Sequence, residues 1–457
     1  MFTGRETELN CLKGYYDRVG SQVMLLYGQK GVGKTTLIEQ FLTGKSYLYY
    51  EAVPCSTRQQ LFYLGQQLGD MGFSMPECPS FEEILHLFSR NAVRKQVLVI
   101  DEFHNFCKTD TELFQALAAY LSEKERAGSL FIILCSSAIG WVENTLKGKL
   151  GSLAPMVTGS IKVKGLKYRD LVHHFPGFSS YESIGAYSIL GGIPGLWQYF
   201  NDEFSLRENI ESFILQSNEK LFDYGQQYVA EELRETAVYN TILAALAEGR
   251  NKLNDLHHHT GFSRAKISVY LKNLIQLEVA EKVLSSETEG KENTQKGIYR
   301  ISHPYVHFYY RYLFPHQNKL SILEAEEFYK GYIEPTFRQY AERYFIQACK
   351  EFLERENGAK RLPFEYTHFG QWIGKEGSID FLLEDEQGNI LAGICSWNKD
   401  MMTYADYESF IHCQSQAKIH ADYVILFSAD RFDEALRLEA GENPHLALLK
   451  LDQLGNY

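Results

Sequence analysis

The stretch VMLLYGQKGVGKTTLIEQFL constrains the fold more than any other part of this 457-residue chain. An apolar run, VMLLY, leads into a turn holding Gly28, Gly31 and Gly33. A lysine, two threonines and a segment with Leu37, Ile38, Phe41 and Leu42 on one helical face come next. Glycine loses more conformational entropy on ordering than any other residue. Three in one turn imply that something approaches the backbone more closely than a side chain permits. Residues 28–35, namely Gly28, Gln29, Lys30, Gly31, Val32, Gly33, Lys34 and Thr35, fit G-x-x-x-x-G-K-[ST]. A strand, this loop and a helix together turn backbone N–H groups and a helix N-terminus towards negative oxygens. The pattern therefore predicts a phosphate cradle. Lys34 reaches the β- and γ-phosphates of ATP, the Thr35 hydroxyl holds Mg²⁺, and Thr36 lies near the α-phosphate.

A nucleotide cradle of this kind needs an acidic element, and RKQVLVIDEFHNF supplies one. VLVI suits a parallel strand buried on both faces. Asp101 and Glu102 follow at its C-terminal end, where ligands of open α/β sheets bind. Asp101 is expected to hold Mg²⁺ through water, and Glu102 to orient the attacking water, with Lys34 as its catalytic partner. A third strand, SLFIILCSSA, ends in Ser136 and Ser137. A hydroxyl there either senses the γ-phosphate or simply closes a strand-end turn.

The net charge of −12 excludes binding to polyanions by bulk charge, so any nucleic-acid contact needs a local patch. The 8 cysteines are scattered without zinc spacing, as in a reduced cytoplasmic protein. MFTGRETELN lacks the pattern of a secretory signal. The longest apolar stretch, LFIILCSSAIGW, is too short to span a bilayer, so no membrane partner is expected.

Taken together, these motifs resemble the P-loop ATPases of the AAA+/STAND group. They resemble in particular a prokaryotic family whose ATPase domain is followed by a winged helix and a C-terminal domain of unknown function like PD-(D/E)XK nucleases. The family box F-x-G-R-E-x-E-L reads FTGRETEL here; it implies that Gly4, Arg5 and Glu6 lie near the adenine. The family loop GRRRVGKT reads GQKGVGKT, with Gln29, Lys30 and Gly31 in place of arginines. IDEF matches, and the GG-x-P element appears as Gly191, Gly192, Ile193 and Pro194, implied to sit on a lid helix close to the nucleotide. The resemblance covers nearly the whole chain, most strongly its first half.

Alternating strand-like and helix-like runs over the first part predict an α/β parallel sheet, followed by a helical lid. NKLNDLHHHTGFSRAKISVYLKNLIQLEVAEKV then reads as helix, turn, helix, with Gly261 in the turn, Ser263 as N-cap and an Ile267, Leu271, Leu274 stripe. EKVLSSETEGKENTQKGIYRIS completes a winged helix. Arg264, Lys266 and Lys272 on the second helix suit DNA phosphates, while Glu278, Glu281, Glu287 and Glu289 oppose them. DNA contact and packing against neighbours both stand open. Adjacent His257, His258 and His259 diverge in direction on a helix and predict an exposed helix end rather than a metal site.

In the last third, QWIGKEGSIDFLLEDEQGNILAGICSWNKDMMT reads as a hairpin and resembles the PD-(D/E)XK core. The resemblance makes Glu342 the helix acid and Asp380 the strand aspartate. Its G-E-C-K-W appears as GICSW, so Ile394 replaces a glutamate and Ser396 a lysine. Neither can ligate a metal or supply a cation, and Lys399 on the following loop is a poor substitute. A retained fold without nuclease activity is expected, with Trp372 and Trp397 as core or interface anchors.

The predicted organisation is a P-loop ATPase core over residues 1–175, a helical lid over 176–232, a winged helix-turn-helix over 233–315 and a degenerate α/β restriction-nuclease-like domain over 316–457. The predicted function is a Mg²⁺-dependent ATPase switch that repositions its later domains. The alternative is a nucleotide-binding interaction or DNA-binding protein with little turnover. Candidate partners are DNA through the winged helix, a second copy of the chain, or another protein.

Overall fold

The computed structural model describes residues 4–89, 95–108, 110–123, 130–284, 297–374 and 377–455. Glu287 and Glu289 of the predicted wing, and the end of the predicted helix after Glu123, lie outside these. The chain divides into two compact units. One comprises residues 1–165 with 193–195, the other 166–192 with 196–457.

The first unit is built on strands β1 (Gln22–Tyr27), β2 (Tyr47–Glu51), β3 (Gln96–Asp101), β4 (Leu130–Ser136) and β5 (Val157–Lys162). They form one parallel sheet in the order β2-β3-β4-β1-β5. The continuous apolar runs follow from burial on both faces. Val97 and Val99 of β3 turn to one face, with Met24, Phe131 and Ile133, under the helices Glu6–Tyr16 and Lys34–Leu42. Leu98 and Ile100 turn to the other, with Leu48, Ile132 and Leu134, under Phe81–Ser89 and Glu112–Ser122. Phe131 is fully buried against Phe41 and Tyr16, at centroid distances of 5.4 and 5.8 Å. β5 begins at Val157, before the GSIKVKGL run, because a register shift at Val23/Met24 lets Val157 pair with Val23.

The second unit opens with the helices Tyr168–His174 and Ser180–Leu190 and continues through Leu206–Phe213 and Tyr224–Glu232. Three helices follow, Thr236–Ala247, Leu253–Thr260 and Arg264–Gln276, and then an antiparallel pair, β6 (Ala280–Val283) with β7 (Ile298–Ile301). The Ser263 hydroxyl accepts from the Lys266 N–H and caps the third helix, whose Ile267, Leu271 and Leu274 are buried. Gly261 ends the preceding helix with φ +72°. The run from Tyr305 to Leu313 packs Tyr305, Phe308, Tyr309, Tyr310 and Tyr312 into the interior. The 25-residue helix Glu334–Gly358 leads to the second sheet.

That sheet contains β8 (His368–Ile373), β9 (Ser378–Glu384), β10 (Ile390–Ser396), β12 (Tyr423–Ser428) and β14 (Leu446–Lys450), in the order β14-β12-β10-β9-β8. β8, β9 and β10 are antiparallel, whereas β10, β12 and β14 run parallel. The two-residue strands β11 (Met401–Met402) and β13 (Arg431–Phe432) pair separately. Trp397 is buried against Phe345 and Tyr181, and its indole N–H donates to the Arg338 carbonyl at 2.7 Å. Among the described residues no helix is long and apolar enough to cross a membrane.

Candidate nucleotide site

The glycine turn joins β1 to the helix Lys34–Leu42. Gly31 and Gly33 have φ of +82° and +93°, in the left-handed region that side chains other than glycine rarely adopt. The loop also has a neighbour pressed onto it. The Gly195 N–H donates to the Gly31 carbonyl at 2.9 Å, and a Cβ on Gly31 would stand 3.0 Å from Ile193 Cγ2. Pro194 lies over Gly33. The Ile193–Pro194–Gly195 segment is thus placed on the turn, although 160 residues of chain separate them.

Lys34 is only 6% exposed, and its ammonium donates to the carbonyls of Gly28 and Gln29 at 2.9 and 3.0 Å. No carboxylate pairs with it among the described residues. A buried ammonium with only carbonyl partners is a costly arrangement, and an incoming anion relieves it. Thr35 and Thr36 are exposed on the first turn of the helix, and Lys30 is exposed on the loop. Val32 is buried, and its carbonyl accepts from Arg5 Nη2 at 2.7 Å. Arg5 is itself buried and pairs with Glu8 at 3.0 Å, so the stretch from Gly4 onward is tied to the loop.

The acidic strand tip lies beside the helix start. Asp101 is buried at the end of β3, and its Oδ2 accepts from the Thr35 hydroxyl at 3.4 Å and from the Tyr49 hydroxyl. Glu102 follows with φ +47°, a strained backbone for a glutamate. Its Oε2 accepts from both the backbone N–H and the hydroxyl of Ser137, each at 2.9 Å, and lies 3.2 Å from His104 Nδ1. Burial pushes the Glu102 carboxyl up, but the His104 and Ser137 donors outweigh it and hold the group down at about 2. The Ser136 hydroxyl is fully buried, accepts from the Ala138 N–H at 3.1 Å and meets His104 Nδ1 at 2.9 Å. It closes the strand-end turn.

Of the residues singled out from sequence, the structure gathers the glycine turn, Lys34, Thr35, Asp101, Arg5 and Pro194 around one loop. Glu102 is turned aside onto Ser137 and His104. Sequence reasoning missed Tyr49, His104 and Gly195. His104 had a signal, standing two residues after Glu102 in DEFH. Tyr49 had none, because its role depends on β2 being the neighbour of β3.

In the second unit, Asp380 on β9 accepts from the Cys395 N–H at 2.9 Å. Burial and the nearby Glu342 carboxylate push it up to about 6, against that hydrogen bond. Glu342 is likewise pushed up, by burial. Ile394 and Ser396 of β10 offer the two acids neither a third carboxylate nor a cation. Lys399 is bound to Asp406. His257 Nδ1 is 2.7 Å from the Phe262 carbonyl, and His259 faces Glu248 at 3.5 Å, so neighbouring histidines take separate partners.

Comparison with known proteins supports the ATPase part. Residues 1–133 match the AAA ATPase domain family, and residues 309–409 match a family described as archaea bacterial proteins of unknown function. The chain is 26% identical over 410 residues to the uncharacterized protein MJECL04 of Methanocaldococcus jannaschii, covering 88% of each. Among solved structures it is similar to the Walker-type ATPase PABY2304 of Pyrococcus abyssi, at 18% identity and a TM-score of 0.49, over 68% of this chain and 96% of that one. It is also similar to the ORC2 protein of Aeropyrum pernix in its ADPNP–ADP complexes, at 14% identity and a TM-score of 0.45, over 70% of this chain and 96% of that one. The match to an AAA ATPase domain thus covers β1 to β3 and the start of β4 of the parallel α/β sheet, and a mixed-sheet domain lies near the other end.

Proposed function

We propose that the chain is a Mg²⁺-dependent ATPase working as a nucleotide-driven switch. One observation carries this reading: the buried Lys34 ammonium, bonded among the described residues only to the Gly28 and Gln29 carbonyls at the mouth of a glycine turn. The amides of residues 28–35 bind the phosphates, with Gln29, Lys30 and Val32 shaping the loop and Thr36 near the α-phosphate. Lys34 leaves its carbonyls for the β- and γ-phosphates. The Thr35 hydroxyl and Asp101 hold Mg²⁺, and their mutual contact fits a shared ion. When bound, the ion supplies charge neutralisation at the β- and γ-oxygens. Glu102 orients the attacking water once it leaves Ser137. Arg5, with Gly4, and Pro194 line the same loop on its adenine and lid sides.

The moving parts are read as a lid over residues 176–232, a winged helix over 233–315 and a degenerate nuclease-like domain over 316–457, following the core of 1–175. Exposed Arg264, Lys266 and Lys272 support DNA contact through the winged helix. Self-assembly is the alternative partner mode, since an arginine finger from a second copy can supply ~10³–10⁵ in rate. The eight cysteines, all free thiols, fit a reducing cytoplasm.

Phosphate release by wild type against Lys34→Ala tests the reading. Loss of release in the variant is expected, and equal rates overturn it. A second reading, nucleotide binding with little turnover, is favoured by the tethering of Glu102 to Ser137 and His104. A rate per chain near zero at every concentration and assembly size selects it.

A further inference from the structure

The second unit holds a cavity of about 230 Å³ that shares Gly191 and Gly192 with the GG-x-P element but none of the loop, Lys34, Thr35, Asp101 or Glu102. It is lined by Gly191 and Gly192, by Glu281 and Arg300 of the β6–β7 pair, by Ser302, and by Arg343 of the long helix. Its polar groups divide into two classes. The Tyr187 hydroxyl and the Gln347 amide, also on the wall, both donate to Glu351, at 2.8 and 3.0 Å. The Ser302 hydroxyl donates to the Glu278 carbonyl at 2.7 Å, and Tyr344 meets His307 Nδ1 at 3.0 Å. The hydroxyls have already spent their single donors on the protein, and Gln347 one of its two N–H donors.

The two guanidinium groups have not. Arg343 gives one Nη2 donor to the Ile301 carbonyl, and Arg300 gives Nε to Glu281 at 2.6 Å. Each guanidinium carries five donors in a planar fork, so most remain. Among the described residues Glu281 is the one carboxylate on the wall, which leaves that lining with a net charge of +1. The field reaches a neighbour: burial first, then the charges of Arg343, Arg311 and Arg300, keep the His307 imidazole neutral well below its usual range. Gly192 is fixed in place by packing, since a Cβ there would overlap the Leu166 carbonyl.

We infer that this cavity binds a small phosphate-bearing anion, clamped between the forks of Arg300 and Arg343. Planar forks match the spacing of phosphate oxygens and form two parallel charge-assisted bonds each. The volume is below the ~300–1,000 Å³ that holds drug-sized ligands, so it takes one or two phosphate groups and not a whole nucleotide. The anion is either free in solution or the phosphate end of a larger ester.

Isothermal titration calorimetry on the full-length Lys34→Ala chain tests this without the glycine turn's lysine. The probes are pyrophosphate, inorganic phosphate, AMP and succinate at matched ionic strength. Saturable pyrophosphate binding is expected. Arg300→Gln and Arg343→Gln each weaken it at least tenfold, Arg343→Lys weakens it by keeping charge without the fork, and Glu281→Gln tightens it about threefold or more. That gain cannot come from a misfolded chain, and Arg300 is exposed enough to be replaced without loss of packing. Inorganic phosphate binding as tightly as AMP assigns the free anion, whereas AMP binding tenfold tighter assigns an ester. No heat with any phosphate, equal binding by succinate, or pyrophosphate affinity unchanged in both arginine variants overturns the inference.

Discussion

Each unit of the molecule holds a pair of acids at its sheet, and their environments are opposite. Asp101 and Glu102 sit among donors: Thr35, Tyr49, Ser137 and His104 all turn a proton towards them, and Glu102 is held ionised at about 2. Asp380 and Glu342 are dominated by burial: Asp380 is driven up to about 6 with one backbone N–H in its favour, and Glu342 is pushed up against a single hydrogen bond from Asn398. The difference teaches that a pair of carboxylates does not by itself fix its own charge state. The surrounding donors and cations decide whether it stays charged and can act on a metal or a water. Ile394 and Ser396 of β10 add neither a carboxylate nor a cation to the second pair.

The comparison breaks most visibly in rate. Glu102→Gln keeps the side chain's size and its contact with Ser137 but removes the charge. Hydrolysis is expected to fall about 10²–10³-fold, as when one preorganised electrostatic group is lost, with ATP affinity within a few-fold of wild type. Single-turnover phosphate release and nucleotide binding on the same preparation check it. A variant that hydrolyses ATP within twofold of wild type would leave Glu102 no role in turnover and erase the contrast with Asp380.

Stability against pH sharpens the contrast, because the two acids carry opposite signs. The Glu102 pKa is lowered on folding, from 4.5 to about 2. Its stabilising contribution is present above pH 4.5 and is lost as pH falls towards 2, to a total of about 3 kcal/mol. The Asp380 pKa is raised from 3.8 to about 6. The folded chain then holds a proton that the unfolded chain releases, so stability falls as pH rises from 3.8 to 6, again by up to about 3 kcal/mol. Asp380→Asn is neutral in both states. It is expected to raise the urea midpoint at pH 8, by about 1–3 kcal/mol in stability, and to flatten the slope between pH 4 and 6. If the variant instead lowers stability at pH 8, the aspartate is a working anion with a partner, and the two acid pairs are alike. Cleavage of DNA by wild type with Mg²⁺ or Mn²⁺, abolished in Asp380→Ala, would make the same point.

Local pattern made one part of this molecule legible and tertiary arrangement hid the other. The strand VMLLY, the glycine turn and the helix from Lys34 were readable because each is specified within a few residues. Asp101 was readable because a doubly buried strand must end where ligands bind. The partners of those residues were not. Tyr49 reaches Asp101 only because β2 pairs with β3, and Gly195 reaches Gly31 across a sequence gap that no periodicity spans. The tether on Glu102 was half visible, since Ser137 was singled out as a γ-phosphate sensor or a turn residue, yet its hydroxyl points to the glutamate. The arginine cavity was invisible: Arg300 and Arg343 belong to different elements and become neighbours only in the packed unit.

The smallest expected effect isolates that tether. Ser137→Ala removes one of the two Ser137 donors to Glu102 while leaving the backbone N–H and His104 in place. A hydrogen bond to a charged group contributes about 1.5–3 kcal/mol, and part of it is replaced by water when the glutamate swings free. The carboxyl moves up from about 2 but stays ionised at pH 7, because the other donors remain. Any change in rate therefore reports the position of Glu102 and not its charge. If the tether restrains turnover, the variant is expected to release phosphate about two- to tenfold faster, with ATP affinity unchanged. If the rate falls instead, the Ser137 hydroxyl takes part in turnover, and the donor-rich environment of the first acid pair serves the reaction itself and not its restraint.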